Sequence, residues 1–176
     1  GNKYGIQYGI KIFDIFKLDG LYSILEFNAV RPFTYSHISS KQNYGHKNHS
    51  LAHPLESNFQ EFLVLLGYQK NNLDFSVQYH FQKYGIDSGN INFGGNMFEP
   101  YINRNGNYNQ KIGQGNLVNQ HIFIAQFSYM ISALTNTKVF FRLNSLNSKE
   151  INDIANTNQV FKIGISSRLW QYQQDY

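Results

Sequence analysis

Between residues 73 and 82 the chain separates by parity. Leu73, Phe75, Val77, Tyr79 and Phe81 fall on one side; Asp74, Ser76, Gln78, His80 and Gln82 fall on the other. A period of two belongs to a strand with one apolar face, because a helix returns to the same face only every three or four residues. The alternation recurs along the chain. In residues 4–12, Tyr4, Ile6, Tyr8, Ile10 and Ile12 oppose Gly5, Gln7, Gly9 and Lys11. Residues 21–35 set Leu21, Leu25, Phe27 and Ala29 against Glu26 and Asn28, and residues 59–69 set Phe62, Val64, Leu66 and Tyr68 against Glu61, Leu63, Leu65 and Gln69. Residues 120–134 oppose Phe123, Ala125, Phe127, Tyr129 and Ile131 to Gln120, Gln126, Ser128 and Ser132, and segments 138–144 and 161–169 follow suit. No stretch carries a helical period. The chain reads as all-β, with seven antiparallel strands.

The connections divide into two kinds. Tight turns are predicted at about residues 18–20, where Asp19-Gly20 is a hairpin signal, and at 70–72 and 135–137. Long polar loops are predicted at 36–58, 84–118 and 146–158, and short and long alternate strictly. Bacterial outer-membrane barrels join their strands in this way, with tight periplasmic turns and long extracellular loops. A count of seven is odd, whereas single-chain bacterial barrels have an even number. The opening GNKYGIQYGI has neither an initiator Met nor a secretion leader. The expectation is therefore an up-and-down transmembrane β-barrel of which residues 1–176 form the C-terminal part.

Composition fits that reading. Only 15% of residues are charged, against roughly 25% in an ordinary soluble domain. No apolar run approaches the roughly 20 residues of a membrane-spanning helix. Charges on the polar parity (Lys11, Glu26, Glu61, Asp74, Lys138, Arg142, Lys162 and Arg168) favour a polar lumen over a soluble lipocalin-like barrel holding a small apolar ligand. An outer-membrane channel is the other alternative. Glu26, Glu61, Asp74, His80, Arg142 and Arg168 are expected to face the lumen, and Phe75, Val77, Tyr79, Phe123 and Phe127 the lipid. Tyr4, Tyr22, Tyr35, Tyr68, Tyr79, Tyr84, Trp170 and Tyr172 gather toward strand ends, as aromatic belts do. Tyr176 resembles the terminal aromatic of outer-membrane proteins, although it lies on the opposite parity from Phe161, Ile163 and Ile165. The net charge of +4 contains no Lys/Arg run, so nucleic acid is not an expected partner.

Motifs for chemistry are sparse. Zero cysteines exclude thiolate nucleophiles and thiolate metal sites. His37, His46, His49 and His53 crowd one loop, and the last three would share a helix face. Gly45, Pro54 and the surrounding Asn and Ser residues favour an irregular loop, so neither metal nor cofactor is expected. Glu56 with Glu61 is a weak carboxylate pair, and Asp87-Ser88-Gly89 is a turn before it is part of a triad. No catalytic residue and no enzymatic activity are expected. The 84–118 loop mixes Asn and Gly with Phe93, Phe98, Tyr101 and Tyr108, a composition suited to sugar binding or to self-packing.

Two stretches, RPFTYSH at 31–37 and NYGHKNHSLAHPLESNFQE at 43–61, carry a more specific signal. They resemble the C-terminal barrel region of Bacteroidota outer-membrane proteins of the capsule-assembly Wzi family, grouped with RemB-like gliding-motility proteins. The matching positions are Arg31, Pro32, Tyr35, Ser36, His37, Asn43, Tyr44, His46, Asn48, Leu51, Ala52, His53, Pro54, Leu55, Asn58, Phe59 and Glu61. Glu56 and Ser57 depart from the Gly and Ala of the pattern, so the turn after Pro54 is expected to differ. The resemblance implies a cell-surface barrel in outer-membrane lipid and lipopolysaccharide. It further implies a link to surface polysaccharide or to gliding and secretion machinery in a multiprotein complex. Loop candidates for binding are Tyr35, His37, Asn43, Tyr44, His46, His49, His53 and Asn58.

Overall fold

The computed structural model describes residues 2–47, 49–89, 91–104, 106, 108–151 and 155–167. Arg168, Trp170, Tyr172 and Tyr176, named above, lie outside the described residues, as do Asn48 and residue 169 of the last alternating segment. The described chain is all-β, with short 3₁₀ turns and no α-helix. Its strands are β1 (Gly5–Phe13), β2 (Leu21–Val30), β3 (Gly45–His46), β4 (His49–Ser50), β5 (Phe59–Lys70), β6 (Leu73–Ile86), β7 (Asn116–Ser132), β8 (Thr137–Glu150) and β9 (Asn156–Ser166). Seven form one antiparallel sheet in the order β1-β2-β5-β6-β7-β8-β9, and β3 and β4 make a separate hairpin inside a loop.

Local chemistry explains the turns. Asn71 (φ 53°) and Asn136 (φ 47°) take the left-handed conformation that Asn tolerates. At Gly20 (φ +83°) a Cβ would sit 2.1 Å from the Gln69 carbonyl oxygen, so only glycine fits. Strand ends depart from the periodicity. β2 stops at Val30, short of the expected residue 35, because Pro32 removes an amide donor and Phe33 turns to φ 63°. The expected loop at 146–158 is largely strand: β8 runs to Glu150 and β9 starts at Asn156. Residues there are polar on both parities, so the apolar signal fades while the backbone ladder continues, with Asn147 Nδ2 donating to Thr157 Oγ1 at 3.0 Å.

Register turns each parity into rows across the sheet. Ile10, Leu25, Val64, Tyr79 and Phe123 are successive partners on one face, as are Leu21, Tyr68, Phe75, Phe127, Phe141 and Ile163. The opposite face carries a row polar at every position, Gln7, Asn28, Glu61, Gln82, Gln120, Ser148 and Asn156. Nearer the turns on that face, half-buried Ile24, Leu65 and Ile124 interrupt the polarity. In the middle of the sheet the apolar parity is the more exposed one, while β1 and β9 are exposed on both faces. Phe75, Phe123 and Phe127 are 43%, 38% and 45% exposed, whereas Asn28, Glu61 and Gln82 are 5%, 4% and 8% exposed.

The sheet does not close into a barrel among the described residues, and β1 and β9 are its edges. Both run from the loop end to the turn end, so pairing them directly would create a parallel contact in an otherwise antiparallel sheet. The best-buried apolar side chains lie at the loop end. Val30, Phe59 and Val118 come from the polar face of the sheet, and Phe33 and Met97 come from the loops folded over it.

Candidate functional site

The two long loops, 31–58 and 87–115, fold onto each other and onto the polar face. Phe33 N donates to Gly94 O, Ser57 Oγ donates to the same carbonyl at 2.6 Å, and Tyr101 N donates to His37 O. Arg31 Nη2 reaches Gln110 O at 2.7 Å, and its guanidinium lies over the Tyr4 ring. Glu56, held at φ 59°, accepts from Met97 N at 2.7 Å. This bond ties the turn after Pro54 to the second loop.

Beneath the loops lies a polar centre built on one carboxylate. The Glu61 carboxylate accepts from Gln82 Nε2 (2.7 Å) and His80 Nδ1 (3.3 Å) on one oxygen, and from His53 Nε2 (2.8 Å) and Asn28 Nδ2 (3.1 Å) on the other. Asn28 and Gln82 flank Glu61 because they are its register partners on β2 and β6. His53 arrives from the first loop, stacked on Phe59 with ring centroids 4.4 Å apart. Its Nδ1 accepts from Leu55 N at 3.1 Å, so Nε2 carries the proton donated to Glu61. Both ring nitrogens are committed, and His53 has no free atom to act as a base. His80 Nε2 is buried without a partner among the described residues.

Asn58 is a second centre, fully buried at φ 62°. Its Nδ2 donates to Gly85 O (3.2 Å) and Gln114 O (2.9 Å), and its Oδ1 accepts from Gly113 N (2.7 Å) and Gln114 N (3.3 Å). One amide thus staples the end of the first loop to the end of the second and to β6. Gln114 continues the network with bonds to Phe93 O and Gln110.

The expected binding residues therefore separate. His53 and Asn58 are bonded internally. Asn43 is buried, with Oδ1 accepting from His37 N at 2.5 Å and Nδ2 without a partner among the described residues. Tyr35 and Tyr44 pack with ring centroids 5.8 Å apart, and burial, with Tyr44 second, pushes the Tyr35 hydroxyl above the usual tyrosine value. His37, Tyr44, His46 and His49 remain exposed. His46 and His49 face each other across the β3–β4 hairpin, while His53 points to Glu61. Among the described residues no three His, Asp or Glu groups converge as metal ligands. Asp87 caps Phe93 N at 2.6 Å. Of the lumen candidates, Glu26, Glu61, Asp74, His80 and Arg142 share the polar face.

Residues that hold this site without standing out in the sequence are Asn28, Gln82 and Gln114. The first two become legible once the strands are placed in register, and the third only through the loop fold. Comparison with protein-family models, with curated proteins and with solved structures finds no match for the chain.

Proposed function

We propose that this sheet is part of an outer-membrane β-barrel at the bacterial cell surface. Its exposed apolar face meets lipid and the acyl chains of lipopolysaccharide, and its polar face lines the lumen. The observation that carries this reading is the reversed exposure: aromatic rows lie open while a polar row is sheltered. A lipocalin-like carrier needs the opposite, with Phe75, Tyr79, Phe123 and Phe127 enclosed. An apolar surface this continuous is a membrane or protein interface. The free edges of β1 and β9 take further strands or a partner, because hydrocarbon leaves no water to satisfy an open edge.

In that setting the loops 31–58 and 87–115 are extracellular, and the protein acts through them without catalysis. The RPFTYSH and LAHPL motifs support a link to capsule-type surface polysaccharide or to gliding and secretion machinery, within a multiprotein complex. His37, Tyr44, His46 and His49 are the side chains available for it. Residues 1–176 contain no cysteine, so introduced thiols give a test in a form of the protein whose other cysteines, where present, are replaced. In membranes, Phe127→Cys is expected to resist a water-soluble maleimide and to react with a lipid-soluble one, whereas Gln126→Cys reacts with the soluble reagent. Equal soluble labelling at both positions overturns the membrane reading. Capsule retained in full by cells lacking the protein overturns the polysaccharide link.

A further inference from the structure

The polar face carries a second charged centre, near the tight turns and away from Glu61. A cleft of about 420 Å³ is lined there by Asp74, Gln126, Ser128, Lys138, Arg142 and Lys162. Arg142 and Lys162 are direct cross-strand partners, and Lys138 lies four residues earlier on the same face of β8. Like charges placed opposite each other repel. None of the three cations is ion-paired with a carboxylate among the described residues. Arg142 is also pre-oriented. Its Nε donates to Asn144 Oδ1 at 2.9 Å, which orients the guanidinium and leaves both terminal nitrogens without a partner among the described residues. Such a fork matches the paired oxygens of a carboxylate or phosphate. The cleft has the volume of a small-molecule site.

We propose that Lys138, Arg142 and Lys162 form a binding site for the phosphate or carboxylate group of a small solute, with Arg142 as the bidentate anchor. Asp74 supplies one negative charge to a cleft with three cations, and the ligand supplies the remaining countercharge. The inference rests on the juxtaposition of these side chains and not on what surrounds the sheet, so it stands or falls separately from the membrane reading.

The test is calorimetric titration of the full-length protein, in a non-ionic detergent, with inorganic phosphate and separately with succinate. Saturable binding of at least one is expected, and the one that binds tells a phosphate site from a carboxylate site. Lys162→Gln, on the exposed edge strand, and Arg142→Lys, which keeps the charge but loses the fork, are each expected to weaken binding about tenfold. Lys41→Gln, which removes a cation from the exposed first loop, is expected to leave it unchanged. Circular dichroism confirms that each variant keeps its strands. Absence of saturable binding by both anions, or equal weakening by Lys41→Gln, overturns the proposal.

Discussion

Asn58 shows how one side chain holds a loop assembly. Four backbone groups from two segments, β6 and the end of the second loop, depend on its amide, and Asn58→Ala leaves all four without it. A loss of roughly 3 kcal/mol is expected, with faster proteolysis in residues 87–115 as the readout. Asn58→Gly relieves the left-handed backbone but restores none of the bonds, so its proteolysis should remain fast. Glu61 is the other hub. Glu61→Gln keeps the shape but places an amide donor among four donors, and the expected cost is about 2 kcal/mol in urea unfolding. Because His53 loses its partner, the Leu55 amide should exchange faster with deuterium, while exchange in the remote β7–β8 turn should not change. Neither role is visible in the residues themselves. His53 in its motif reads equally well as a ligand, and only the fold of the loop brings it onto a carboxylate eight positions later.

At the level of elements, turns were more legible than strand ends. Asp19-Gly20 marks a hairpin by composition, and the structure supplies the reason in the Gln69 carbonyl that occupies the space of a Cβ. Gly20→Ala should destabilise on the order of 3 kcal/mol. Gly89→Ala, also at positive φ (+60°) but with nothing within 4 Å of an added Cβ, should cost only about 1 kcal/mol. Chemical denaturation of the two variants side by side checks the difference. Strand ends such as those of β8 and β9 escaped the periodicity because hydrogen bonding between backbones does not need apolar side chains.

For the molecule as a whole, the rival readings place the same rows in different surroundings. In lipid, Phe123→Lys on the apolar face should cost about 2–4 kcal/mol. In water, a lysine at an already exposed position should cost close to nothing. Unfolding of this variant in detergent or bilayer against wild type separates the two. What the sequence by itself determined is the all-β class, the two faces, the tight turns and the two long loops before β5 and β7, but not a third long loop before β9, since these follow from side-chain parity and turn chemistry within a few residues. The tertiary structure alone decided which face is open, where the loops fold, and that Asn28, His53, His80 and Gln82 share one carboxylate. Those outcomes depend on register and on contacts between residues tens of positions apart, which no local period encodes.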